Sequence, residues 1–174
     1  PVALIGDLTG GDGYLSYVHW QGNPGAPGNV NIVNTGAAGF LCDQVYCEVD
    51  GISVSGTGFA AINGNAGYSY MTNIVSTMTG GIVVHSGSGG VVNIGLSASG
   101  NNTNLAYADN NSTILLSAVL TGTPVYTSVL VAAAQSSVVV SSLSGAATGK
   151  KFDLSSGGQI FASGVTLPGN SAGT

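Results

Sequence analysis

A hydroxyl residue followed by glycine recurs about every 22 residues, and this repeat limits the chain to very few folds. Anchored on the glycine, the positions are Gly36, Gly56, Gly80, Gly100, Gly122, Gly145 and Gly164, with gaps of 20, 24, 20, 22, 23 and 19. The residue before each is Thr35, Ser55, Thr79, Ser99, Thr121, Ser144 and Ser163, always Ser or Thr. A period of 20–24 residues sustained over several units signals a stacked-repeat architecture, in which each unit buries its apolar face only against its neighbours.

Within each unit apolar residues keep the same distance from the glycine. Two positions before it stand Val54, Met78, Ala98, Leu120 and Leu143; six before it stand Asp50, Ile74, Ile94, Leu116 and Val139. The opposite parity, three before the glycine, reads Ser53, Thr77, Ser97, Val119 and Ser142. Alternation with period two belongs to a strand with one buried face. A second strand follows, carried by Phe59, Ile82, Leu105, Val129 and Phe152 and, two residues on, by Ala61, Val84, Tyr107, Val131 and Leu154. Runs of Gly, Asn and Ser, such as 86–90 and 100–102, supply the turns. An antiparallel sandwich also turns this often, but it does not place like residues on like in every unit. The reading is therefore all-β: a single-stranded right-handed parallel β-helix of about 20–24 residues per coil, with Ile74, Ile94, Leu116 and Val139 in one interior column. Residues 1–30 are read as an N-terminal cap or connecting segment, 31–164 as the β-helix and 165–174 as an end motif. Glycine at the end of each unit turns the corner, and the hydroxyl residues form ladders on the outer face.

Only 5% of residues are charged, against about a quarter in ordinary domains, while 44% are hydrophobic. Lys150 and Lys151 are the only basic residues apart from histidine, and the net charge is −5, so nucleic acid is excluded as a partner. No apolar run approaches the roughly 18 residues of a membrane helix, so no membrane insertion is expected. A surface this poor in charge, carrying Val75, Val119 and Val140 on one strand and Val83, Ala106 and Leu130 on the other, suggests a face covered by other copies of the chain. The expectation is three chains about a common axis, with Val83 and Leu130 facing it.

The C-terminal "GQIFASGVTLPGNSAGT" resembles the end of the right-handed β-helix in bacteriophage tailspikes, tail fibres and neck appendages. The matching residues are Leu167, Pro168, Gly169, Ala172, Gly173 and Thr174. In that family more chain follows this motif, so continuation beyond Thr174 is expected. The resemblance implies a homotrimer in the virion tail, extracellular, among other tail proteins, attached to host surface polysaccharide. Some relatives also cut that polysaccharide with paired carboxylates.

Candidate residues follow from that implication. Tyr14, Tyr17, Trp20, Tyr68 and Tyr70 offer rings that stack on sugars; the alternative is that they cap the solenoid end or fill a seam between chains. Glu48 and Asp50 share a strand face in the only acidic cluster and form the one candidate catalytic pair, with an acidic outer face as the plainer reading. No arginine is present to clamp a uronic acid, and the chain is read as a binding protein without enzymatic activity, a depolymerase being the alternative. Ice-binding and bacterial adhesin solenoids are further alternatives. Cys42 and Cys47 would lie some 16 Å apart in one straight strand, beyond disulfide reach, and are expected free unless a turn at Asp43-Gln44 joins them. Neither His19 nor His85 has ligand spacing to them, and no metal or cofactor is implied. His85, near Ser86 and Ser88, is read as a polar residue at a coil corner.

Overall fold

The computed structural model describes residues 3–7 and 17–174. In chain order the first strands are β1 (Ala3–Asp7), β2 (Tyr17–Gln21), β3 (Asn31–Asn34), β4 (Ala38–Asp43) and β5 (Tyr46–Asp50). There follow β6 (Ser53–Gly56), β7 (Ala60–Asn65), β8 (Tyr68–Ser76), β9 (Ile82–Gly87), β10 (Val91–Ala98) and β11 (Asn102–Ala108). The last are β12 (Thr113–Leu120), β13 (Val125–Ala132), β14 (Ser137–Ser144), β15 (Thr148–Leu154) and β16 (Gln159–Phe161).

The chain winds as a parallel β-solenoid. A ten-stranded sheet runs β1-β2-β5-β8-β10-β12-β14-β16, with β3 and β6 joining it from the side; a six-stranded sheet runs β4-β7-β9-β11-β13-β15. From β7 onward successive strands alternate between the two sheets, so each of these coils contributes one strand to each; the coil before them places both β5 and β6 in the ten-stranded sheet. Residues 91–98 pair with 113–120 in parallel, Val91 opposite Thr113 through Ala98 opposite Leu120. Among the described residues only β1 runs antiparallel, against β2. That places β2 inside the ten-stranded sheet, so the solenoid begins at Tyr17, within the segment read from sequence as a cap.

Interior columns run the length of the rod. One is Val18, Cys47, Ser69, Val92, Ile114, Val138 and Ile160; the next is Trp20, Val49, Met71, Ile94, Leu116 and Val140. The second column corrects the expected one at both ends. Ile74 pairs with Leu96 because Ser76 stands opposite Ala98, so that two more residues separate β8 from its glycine than separate β10 from Gly100; further back, Thr72 and Asn73 both stand opposite Gly95. Val139 pairs with Leu115, and Val140 takes the interior place because β14 carries one extra residue, Ser141. Counting back from Gly145 to Val139 crosses the extra residue Ser141, which flips the inside-out parity of everything before it, whereas at Ile74 the count slips by two and the parity is kept.

The six-stranded sheet departs further from simple alternation. In β7, β9, β11 and β13 three consecutive residues are buried: Ala60-Ala61-Ile62, Ile82-Val83-Val84, Asn104-Leu105-Ala106 and Ser128-Val129-Leu130. A straight pleated strand cannot bury three in a row, so the chain turns a corner there. Val83, Ala106 and Leu130, expected on the outer face, are therefore in the core, at 1%, 0% and 0% exposure. Val140 is also inside, so of the six residues expected on an outer face only Val75 and Val119 lie there, in one row with Ser97, and Val83 and Leu130 cannot face an axis between chains. Val84 pairs with Ala106 rather than Tyr107, and Phe59, expected inside with Ile82, is exposed.

Five of the seven repeat glycines have positive φ, for example +84° at Gly80 and +94° at Gly145, as corner residues require. The hydroxyls outside form partial ladders: Thr113 to Ser137 at 3.1 Å and Ser117 to Ser142 at 2.5 Å. The C-terminal motif continues the solenoid. Lys151 N donates to Ser171 O at 3.1 Å and Leu154 N to Thr174 O at 2.7 Å, so residues 171–174 lie along β15.

Cys42 and Cys47 form a disulfide, against the expectation of free thiols. Cys42 lies near the end of β4 in one sheet, Cys47 near the start of β5 in the other, and the chain turns between them with φ of +56° at Gln44. The corner brings their Cα atoms to 6.3 Å, where a straight strand would hold them apart.

Candidate functional site

The first three coils of the ten-stranded sheet carry an aromatic ladder on their outer face. Tyr17, Tyr46 and Tyr68 are register partners in β2, β5 and β8. Their rings stack at centroid distances of 5.4 Å for both pairs, inclined by 28° and 8°. Strand spacing sets this geometry: identical side chains on neighbouring coils sit one strand apart, close enough for offset stacking. The next outward row is His19, Glu48 and Tyr70, again in register.

Glu48 ties the two rows together. Tyr17 Oη donates to Glu48 Oε2 at 2.6 Å and Tyr46 Oη donates to Oε1 at 3.2 Å; His19 Nδ1 lies 4.0 Å from Oε2. The bond to Glu48 pushes the Tyr17 hydroxyl up to about 12, burial and the carboxylate charge adding to it. Tyr46 is raised as well, by burial first and by Glu48 second. Both phenols therefore stay protonated and hold the carboxylate fixed. Asp50, one pleat further, accepts from Thr72 Oγ1 at 2.8 Å and Asn73 Nδ2 at 2.7 Å. Glu48 and Asp50 do share a face, and each is held by donors from neighbouring residues.

Of the residues singled out from sequence, the structure brings Tyr17, Tyr68 and Tyr70 onto this face. Trp20 is not there: it shares the interior parity of Val18, is half-buried, and meets Phe40 edge-on at 5.5 Å, closing the end of the core. Tyr14 lies outside the described residues. Tyr46 was not singled out, although it stands 22 residues before Tyr68, one repeat away.

On the six-stranded sheet a second cluster forms. Asn63, His85 and Tyr107 are register partners. His85 Nδ1 is 2.8 Å from Asn63 Oδ1, its Nε2 is 3.5 Å from Asp109 Oδ1, and its ring stacks on Tyr107 at 5.6 Å with Phe59 edge-on at 5.5 Å. Burial lowers the affinity of His85 for a proton, outweighing the pull of Asp109. Below the ordinary histidine value near 6.5 the unfolded chain thus binds a proton that the folded chain resists, so stability drains away as pH falls. The melting temperature should drop by about a few degrees between pH 7.5 and 5.5, and His85→Gln should flatten that slope in thermal melts. An equal slope in the variant refutes the assignment.

No family model, curated protein or solved structure matches this chain.

Proposed function

We propose that this solenoid is a structural and receptor-binding segment of a bacteriophage tail fibre or tailspike, attaching to neutral host surface polysaccharide without cleaving it. The stacked Tyr17–Tyr46–Tyr68 ladder, flanked by Tyr70 and Glu48, carries the reading. Tyrosine rings offer apolar faces to the C–H faces of sugars and hydroxyls to their rims. Glu48 fixes two of the rings in place, so little ordering cost falls on binding. The scarcity of charge suits a neutral ligand, and the absence of arginine disfavours a uronic acid polymer. The donors on Glu48 and Asp50 support a positioning role over acid–base work. The virion setting, a homotrimer and neighbouring tail proteins rest on the likeness of residues 167–174 to phage β-helix ends.

Binding to immobilised bacterial surface polysaccharides tests this. Tyr68→Ala should weaken binding about tenfold, in line with the roughly 0.5–1.5 kcal/mol of a stacked aromatic beyond its area, with the melt little changed. Wild-type affinity in the Tyr68→Ala, Tyr70→Ala double variant would remove the ladder from the reading. Release of reducing sugar that Glu48→Gln abolishes would replace binding with depolymerisation.

A further inference from the structure

A groove of about 470 Å³ lies on the same sheet, beyond the tyrosine rows, across β8, β10 and β12. There β8 carries an extra residue, Asn73, whose φ is +52°, opposite Gly95. The groove's lining includes Thr72 and Asn73, which also hold Asp50, with Ser97, Val119 and Pro27. No lining residue is charged.

Gly95 forms the floor, and nothing inside the protein requires a glycine there. Its φ lies outside the left-handed region, and a Cβ built on it would find one atom within 4 Å, the Met71 carbonyl oxygen at 3.9 Å. Gly100, by contrast, would drive a Cβ into the Met78 carbonyl. A mid-strand glycine costs stability and marks a place where something approaches the backbone closely. Its register partner in the next coil, Ser117, and its neighbours Thr72 and Asn73 all carry polar side chains, so Gly95 is a gap in an otherwise filled row.

Resting on the polysaccharide reading above, we infer that this groove is a second saccharide subsite, with Gly95 as its open floor. Its occupant is an uncharged pyranose of the same glycan, one apolar face toward Val119 and Gly95 and its hydroxyls toward Thr72, Asn73 and Ser97. Volume, hydroxyl and amide lining, apolar wall and absence of charge all match that class of ligand.

Titration of the ¹⁵N-labelled chain with malto-, cello-, xylo- and chito-oligosaccharides, followed by amide shifts, tests it. The expected result is that one of these moves Gly95, Ser97 and Val119 together with Tyr46, Tyr68 and Tyr70. Gly95→Thr should melt at or above the wild-type temperature, lose the groove shifts, and bind at least tenfold more weakly. Shifts on the tyrosines alone overturn the groove and spare the ladder. Shifts in the groove alone overturn the ladder and uphold the groove. Shifts at neither overturn both. A Gly95→Thr chain that binds like wild type, or that is destabilised, also overturns the inference, since the glycine then serves nothing at the groove or serves the fold.

Discussion

Leu130→Lys should yield no folded chain. Leu130 is fully buried, between Ala106 and Phe152 in the six-stranded sheet, at a corner where Ser128, Val129 and Leu130 all face inward. An ammonium placed there loses its water and gains no carboxylate, at a cost of several kcal/mol, against a total stability of about 5–15 kcal/mol for a domain. On the sequence reading alone the same substitution would sit on an outer face and only separate chains from one another. Val119→Lys is the comparison: Val119 is 50% exposed, and its lysine should leave the melt nearly unchanged. Soluble yield, circular dichroism and thermal melts of the two variants decide. A Leu130→Lys chain that is soluble and melts cooperatively near wild type would place Leu130 outside and refute the corner.

Leu116→Ala should cost roughly 2–5 kcal/mol. Leu116 has no exposed surface and lies between Ile94 and Val140, so truncation opens a cavity bounded above and below by backbone already fixed at strand spacing. Stacked coils cannot approach more closely to fill it, which favours the upper part of that range. Val139→Ala is the matched control. Val139 is half-buried and faces outward, and its truncation should cost less than about 1 kcal/mol. Urea melts of both measure the interior register directly. A loss under about 0.5 kcal/mol at Leu116, or a greater loss at Val139 than at Leu116, would show the column displaced by one residue.

The candidate site was partly legible. Tyr17, Tyr68 and Tyr70 could be named from residue type, and the shared face of Glu48 and Asp50 from period two. Tyr46 could have been found by adding the repeat length to the search, since it lies one repeat from Tyr68. Its pairing with Tyr17 could not, because residues 22–30 lengthen that coil and break the count. Trp20 went astray for want of a partner column: only its alignment with Val49 and Met71 shows that it points inward. The groove was invisible, because its floor is a residue without a side chain and its walls come from three coils.

What the sequence alone determined was the solenoid itself. Like residues at a fixed distance from a recurring glycine can all be buried together only if each unit stacks on the last, and period two within the unit makes that unit a strand. Only the tertiary structure decided which residues face which way. Alternation is a local rule, and a single extra residue, at Asn73 or Ser141, or a corner that buries three residues in succession, inverts or suspends it without any signal in composition. The same holds for Cys42 and Cys47, whose separation depends on the sheet-to-sheet turn at Gln44, and for Val83 and Leu130, which burial in the core removes from any outer face.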